Sequence, residues 1–189
     1  TVFYLNKNYR GKKIYAFGTK SFRKQLIKGG VNITTTPDED VDALVMGFDT
    51  ELEFKKLEDA CILLNRGVDY IATNPDWVCP TRYGYVPDCG SVAGMLKNAT
   101  CRLPIFIGKP QPLMIYLAIE KTGCKKEETM IIGDRIYTDI KSGLNAGICA
   151  ALVLSGETTK EMLLKSEDKP TLVFENIKEI YEKMITERK

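Results

Sequence analysis

Met130-Ile131-Ile132 is an apolar run that stops at Gly133-Asp134, and a second carboxylate, Asp139, follows five residues later. A run of this kind reads as a strand buried on both faces. The stretch behind it, Thr138 to Ala146, reads as a helix stopped by Gly147. The pattern recurs. Apolar runs at Lys13 to Phe17, Val31 to Thr34, Val41 to Phe48, Asp69 to Thr73, Pro104 to Gly108, Cys149 to Leu154 and Leu172 to Phe174 alternate with segments of helical spacing. That alternation is the mark of parallel α/β architecture. In open parallel sheets ligands collect beyond the carboxyl ends of the strands. Asp134 sits at such an end and is poised to hold a hard cation such as magnesium, which prefers carboxylate and water oxygens. A turn Asp followed by an N-capping Thr138-Asp139 uses the same letters, so this stretch alone leaves both readings open.

Helices are expected between the runs. Thr1 to Asn8 reads as the end of one, and Thr19 to Lys28 as another, closed by Gly29-Gly30. Thr50-Glu51-Leu52-Glu53 has the letters of a capping box, and Leu57, Ala60, Cys61 and Leu64 behind it follow helical spacing as far as Gly67. Asn74 to Gly90 breaks the rhythm as a long loop with Pro75, Pro80, Pro87, Trp77, Tyr83 and Tyr85. Loops of that length inside a compact domain are usually functional. Ser91 to Asn98 and Pro112 to Thr122 read as further helices, and Thr158-Thr159-Lys160-Glu161 as a second capping box. The charge-dense tail from Lys178 to Lys189 carries an apolar stripe and reads as a surface helix. The domain boundary is expected near Cys101, giving domains 1–100 and 101–189.

Composition removes several function classes. The 189 residues hold 27 basic and 25 acidic side chains, a balance that argues against nucleic acid as a partner. No apolar run approaches membrane-spanning length, so no membrane partner is expected. Histidine is absent, which excludes the serine–histidine triad and most zinc enzymes. The six cysteines have wide spacings without a C-x-x-C, and several lie in apolar runs. They read as free thiols in a reducing cytoplasm.

Lys109 follows Ile107-Gly108 as Asp134 follows Ile132-Gly133. Glycine before each allows close approach of a ligand. A lysine and an Asp–metal pair at the tips of neighbouring strands would neutralise a phosphate dianion from two sides, and phosphoryl transfer requires little beyond that, positioning and a nucleophile.

Ile107-Gly108-Lys109-Pro110, followed by Ile132-Gly133-Asp134-Arg135-Ile136-Tyr137-Thr138-Asp139-Ile140, resembles motifs III and IV of the haloacid dehalogenase (HAD) superfamily of phosphatases. Asn145-Ala146-Gly147 and Leu152-Val153-Leu154-Ser155-Gly156 continue the likeness. Upstream, Ile71-Ala72-Thr73-Asn74-Pro75-Asp76 and Gly90-Ser91 resemble the NagD-like or p-nitrophenylphosphatase-like subfamily IIA. The resemblance implies a HAD-like Rossmannoid core, here its C-terminal half only, plus an α/β C2-type cap domain with the end of a linking helix at 1–9. It implies a magnesium-dependent phosphatase acting on a small phosphorylated metabolite through an aspartyl-phosphate intermediate. Lys109 matches the residue that holds the phosphate and the nucleophile, and Asp134 the magnesium ligand. Asp139 matches the second acidic position, catalytic in support of the metal or the lysine. Arg135 and Thr138 fall on the same motif as phosphate- or substrate-binding positions. Cys79 sits where a cap loop reaches the substrate in related enzymes, and Asn74 either joins it or braces its own loop.

The family's Asp-x-Asp-Gly nucleophile motif and its motif II are not in this sequence. Asp38-Glu39-Asp40 and Asp88-Cys89-Gly90 lack the right flanks. The first residue is Thr, and the chain is expected to be the cap and second core half of something longer, with little activity alone. A core half short of strands exposes an edge, so a homodimer through the cap or the incomplete core is expected. The alternative is a non-catalytic cap or dimerisation module. A receiver-like or nucleotide-binding domain fits poorly, because no Gly-rich phosphate loop is present.

Overall fold

The computed structural model describes residues 1–186; the last three positions of the expected tail helix lie outside the described residues. It contains two compact units, Thr1–Ile107 and the residues from Gly108 onward. The division falls seven residues beyond the expected boundary at 100/101. The reason is hydrogen bonding: β7 (Ile105–Phe106) pairs with β4 (Asp69–Ala72), so the chain stays in the first sheet until Ile107.

The first unit is built on a parallel five-stranded sheet of order β2-β1-β3-β4-β7, with β1 at Ile14–Phe17, β2 at Ile33–Thr34 and β3 at Ala43–Met46. β1 and β3 are buried along their whole length and pair from Ile14↔Ala43 to Phe17↔Met46. This is the buried-on-both-faces strand that an unbroken apolar run encodes. Helices α1 (Val2–Asn8), α2 (Lys20–Lys28), α3 (Phe54–Arg66) and α4 (Cys89–Thr100) complete it. Tyr15, Phe17, Leu44, Met46, Leu63 and Leu96 form one core. Asp59 is buried there, yet satisfied: the Tyr15 hydroxyl donates to Oδ2 at 3.0 Å and Lys55 Nζ reaches Oδ1 at 2.6 Å.

Several local expectations are corrected. The Thr50 capping box does not form. Asp49 Oδ1 accepts the Glu51 N–H instead, and the Glu51 carboxylate accepts the Lys20 N–H. A part-buried Asp49–Lys56 pair at 2.7 Å braces the segment, and α3 begins at Phe54 without a side-chain cap. Asn74 to Gly90 is not a loop throughout. It folds into an antiparallel hairpin, β5 (Val78–Thr81) and β6 (Gly84–Pro87), with Cys79 opposite Val86. Prolines in both strands hid it from the sequence; a two-stranded ribbon has free edges that tolerate them. Helix α4 starts two residues early because the Asp88 carboxylate accepts the Cys89 N–H at 2.6 Å.

The second unit carries a parallel three-stranded sheet of order β10-β9-β8, from β8 (Met130–Gly133), β9 (Cys149–Val153) and β10 (Leu172–Phe174). Around it lie α5 (Leu113–Thr122), α6 (Lys141–Ala146), α7 (Lys160–Lys165) and α8 (Ile177–Thr186). Ile136, Ile140, Ala150 and Leu152 make one core cluster, and Ile115, Ala146 and Ile148 another. β8 is not buried on both faces. It is the edge strand, with Met130 and Ile132 exposed. The expected helix from Thr138 begins instead as a wide turn over Ile136–Ile140 and becomes regular only at Lys141. The second capping site is Thr159, whose hydroxyl accepts the Met162 N–H; Thr158 is buried beside it. All six cysteines are free, and no helix among the described residues is long and apolar enough to cross a membrane.

Cys101 ends α4 in the left-handed region at φ 59°. That position favours glycine, because any Cβ meets the neighbouring backbone there. Cys101→Gly is expected to stabilise the protein by about 0.5–1 kcal/mol, read as a higher urea midpoint at unchanged slope; a lower midpoint would contradict the strain assignment.

Candidate active site

Five of the candidate residues, Lys109, Asp134, Arg135, Thr138 and Asp139, belong to the second unit. β8 pairs in register with β9, Met130↔Cys149 to Gly133↔Leu152, so Asp134 leaves the sheet at a carboxyl end. The chain then makes its wide turn. The Arg135 carbonyl accepts two N–H groups, from Asp139 at 3.0 Å and Ile140 at 3.2 Å. This turn points the Asp139 side chain back at the strand end. Gly133 is required there: a Cβ would overlap the Asp139 side chain.

Asp139 is almost wholly buried, and both its oxygens are engaged. Oδ1 meets Lys109 Nζ at 2.5 Å, and Oδ2 accepts the Arg135 N–H at 3.3 Å. The Lys109 side chain is 43% exposed, so one end of this pair remains open to solvent and to a ligand. Helix α6 fixes the lysine's loop. Asn145 Nδ2 donates to the Pro110 carbonyl at 2.9 Å, and Ser142 Oγ to the Gln111 carbonyl at 3.1 Å.

The expectation that Lys109 and Asp134 sit on neighbouring strand tips is corrected. β7 belongs to the five-stranded sheet and β8 to the three-stranded one. Lys109 is tied to the motif by its ion pair with Asp139 and by α6, not by strand adjacency.

Asp134 is held from the loop after β9. Its Oδ2 accepts the Glu157 N–H at 2.8 Å, and its carbonyl accepts the Thr158 N–H at 3.1 Å. Gly156 makes the approach possible, since a Cβ there would overlap Asp134 Oδ2. Arg135 Nε pairs with Glu157 Oε2 at 2.6 Å, and the Tyr137 hydroxyl donates to Oε1 at 2.6 Å. Glu157 was not singled out from the sequence. The only signal for it was its place after Ser155-Gly156, where a strand run ends. Thr138 and Thr158 each bury a hydroxyl without a hydrogen-bond partner.

A divalent cation fits this arrangement in part. No group of three or more His, Cys, Asp or Glu side chains gathers among the described residues. Magnesium needs no such cage, since it binds through one or two carboxylates with waters and substrate oxygens completing the octahedron. Asp134, with one oxygen fixed by a backbone N–H, is a donor of that type.

Asn74 and Cys79 lie in the first unit. Asn74 Oδ1 accepts the Asp76 N–H at 3.0 Å, and Nδ2 donates to Asp88 at 3.3 Å, so its side chain braces its own loop. Cys79 faces a cavity of about 490 Å³ shared with Phe17, Met46, Phe48, Thr81 and Tyr83. Phe17 and Met46 end β1 and β3, the two strands between which the sheet order reverses. Doubly wound sheets place ligand crevices at such a point.

A family model described as HAD-hydrolase-like matches residues 106–180. The chain is 32% identical over 177 residues to the acid sugar phosphatase of Staphylococcus epidermidis (strain ATCC 12228 / FDA PCI 1200), covering 94% of this chain and 68% of that protein. It is 30% identical to the 5'-nucleotidase YutF of Bacillus subtilis, covering 95% and 69%. Among solved structures, a 4-nitrophenylphosphatase from Thermotoga maritima superposes with a TM-score of 0.89 at 41% identity, covering 96% of this chain and 69% of that one. The chain spans about two thirds of the length of the curated relatives it matches. A likeness that runs through nearly all of these residues, in sequence and in three dimensions, identifies the kinship: the chain belongs to the haloacid dehalogenase-like phosphatases, in their NagD-like branch.

Proposed function

We propose that these residues form the substrate-selecting cap and the metal- and phosphate-binding half of a magnesium-dependent phosphatase for a small phosphorylated metabolite. Relatives named as sugar phosphatases and nucleotidases support a sugar phosphate or a nucleotide as the substrate class. The observation that carries the reading is the Lys109–Asp139 pair, seated in the same turn that presents Asp134. Lys109 keeps a partly exposed ammonium for a phosphate oxygen, while the buried Asp139 holds it in place. Asp134 would hold magnesium, which supplies charge neutralisation at the phosphate when bound. Arg135 and Thr138 follow Asp134 on the turn and would complete the phosphate surroundings. The first unit would act as the α/β cap, with Cys79 at its cavity and Asn74 shaping the loop behind it. The free thiols agree with a reducing cytoplasm as the working compartment.

The family reaction needs a nucleophilic aspartate in an Asp-x-Asp-Gly segment, and none lies in this sequence. The reading therefore takes the aspartyl-phosphate step from a segment beyond these residues. The open edge of β8, with Met130 and Ile132 exposed, is where further strands would be accommodated.

Three measurements check these assignments. Calorimetric titration of magnesium is expected to show binding that Asp134→Ala abolishes; binding equal in both would remove Asp134 from the metal site. Turnover of 4-nitrophenyl phosphate by these 189 residues alone is expected at background, because removing a covalent nucleophile costs most of the rate enhancement. Full activity would overturn the need for an outside nucleophile. Light scattering of the same chain is expected to show self-association through its open edge, and a monodisperse monomer would count against that surface.

A further inference from the structure

Glu157 belongs to no motif used so far, yet its backbone and its side chain both bond to the Asp134 turn. Its backbone N–H donates to Asp134 Oδ2 at 2.8 Å. Its carboxylate is gripped at both ends, Oε2 by Arg135 Nε and Oε1 by the Tyr137 hydroxyl, each at 2.6 Å. The next residue, Thr158, sends its N–H to the Asp134 carbonyl. Side chain and main chain of Asp134 are thus both read by one dipeptide, and that dipeptide is tied down by the two residues that bracket Ile136.

The arrangement does not serve global stability to any large degree. The Arg135 and Glu157 side chains are 27% and 38% exposed, and ion pairs of that kind contribute little to folding. What they do is fix side-chain geometry on a turn that follows no regular helical hydrogen-bond ladder. The wide turn leaves Asp134 and Arg135 outside any regular helical hydrogen-bond ladder, with the Arg135 carbonyl shared between two donors. Insertions of this wide type recur at functional sites. Gly156 contributes by having no Cβ, which lets the loop come close enough for its neighbour's N–H to reach the carboxylate.

We infer that Glu157, clasped by Arg135 and Tyr137, is a positioning residue that aims the Asp134 carboxylate. By holding Oδ2 against the Glu157 N–H, the clasp presents the other oxygen to a cation in one orientation. Arg135 then serves the site through Glu157 rather than through the substrate alone. The inference rests on the reading of Asp134 as a metal ligand. Partners of this second layer typically change metal affinity by about 10–100-fold when removed.

The test uses two readouts on the wild-type chain, Glu157→Ala and a control, Lys160→Ala, which removes a surface pair with Glu175 of similar kind. The first readout is hydrogen exchange at the amides of residues 157 and 158, with the buried β9 amides of Ala150 to Leu152 as internal reference. The second is Mn²⁺ titration followed by loss of the free-ion paramagnetic signal. Glu157→Ala is expected to speed exchange at 157 and 158 at least tenfold with β9 unchanged, and to weaken Mn²⁺ binding by about tenfold. Glu157→Gln, which keeps an acceptor for one of the two grips, should fall between. Lys160→Ala should alter neither readout. Unchanged exchange at 157 and 158 would overturn the clasp. Faster exchange with unchanged Mn²⁺ affinity would reduce it to a loop brace and overturn the positioning role. No Mn²⁺ binding by the wild type would overturn Asp134 as a ligand and the positioning role with it, while faster exchange in the variant would still show that the loop contact exists.

Discussion

Asp139 is a buried carboxylate, and the carboxy-terminal unit is arranged to satisfy it. A charge taken out of water has to be met by donors or by an opposite charge. Here Lys109 and the Arg135 N–H meet it, one on each oxygen. That single requirement draws the other features together. It brings the Lys109 loop onto α6, where Asn145 and Ser142 fasten it. It demands a turn wide enough to swing residue 139 back toward the end of β8, and it forces glycine at 133. Asp134, placed at the strand end, leads into the same turn that carries the lysine's partner. The pairing matters for chemistry because Lys109 is ordered before a ligand arrives, which lowers the cost of binding an anion.

The amino-terminal unit follows a different logic. Its parallel sheet is buried at the centre and reverses its order between β1 and β3. The carboxyl ends of those strands open into a cavity roofed by the β5–β6 hairpin. The part-buried Asp49–Lys56 pair braces the loop after β3, and Lys56 also donates to the Glu51 carbonyl at 2.6 Å. Asn74 and Asp88 set the entry and exit of the hairpin. Burial pushes the Cys89 thiol up to about 12, so this cavity-lining cysteine stays protonated and behaves as a small apolar group. The lining around this thiol is largely apolar, with Asp49 and Asp88 among its polar members.

The legible parts of the chain were those whose physics is local. Unbroken apolar runs at Ile14 to Phe17 and Ala43 to Met46 became fully buried strands. Gly29, Gly67 and Gly123 ended helices as expected. Lys109 and Asp134 are legible because glycine precedes a charged group at the end of an apolar run, and Asp139 because the motif order resembles a family. The hairpin at 78–87 was hidden by Pro80 and Pro87, residues that locally argue against a strand. The Thr50 cap does not form; Asp49 closes a local turn onto the Glu51 N–H, the Glu51 carboxylate is drawn to Lys20, and α3 begins three residues later than that cap would place it, at Phe54. Glu157 carried no recognisable pattern, since its partners lie about twenty positions away.

By itself the sequence determined the α/β class, the periodicity of the elements and the identity of the charged residues at the strand ends, because side-chain polarity and backbone preference act over a few residues. Only the tertiary structure decided which strands share a sheet. It sent Ile105–Phe106 to pair with β4 and left β8 at an edge. It also decided which charges meet. Asp139 found Lys109 thirty residues away, because burying a carboxylate has a high free-energy cost unless distant donors are brought to it, and Asp134 found the backbone of Glu157. Local propensity carries no information about those distances, which are set by packing.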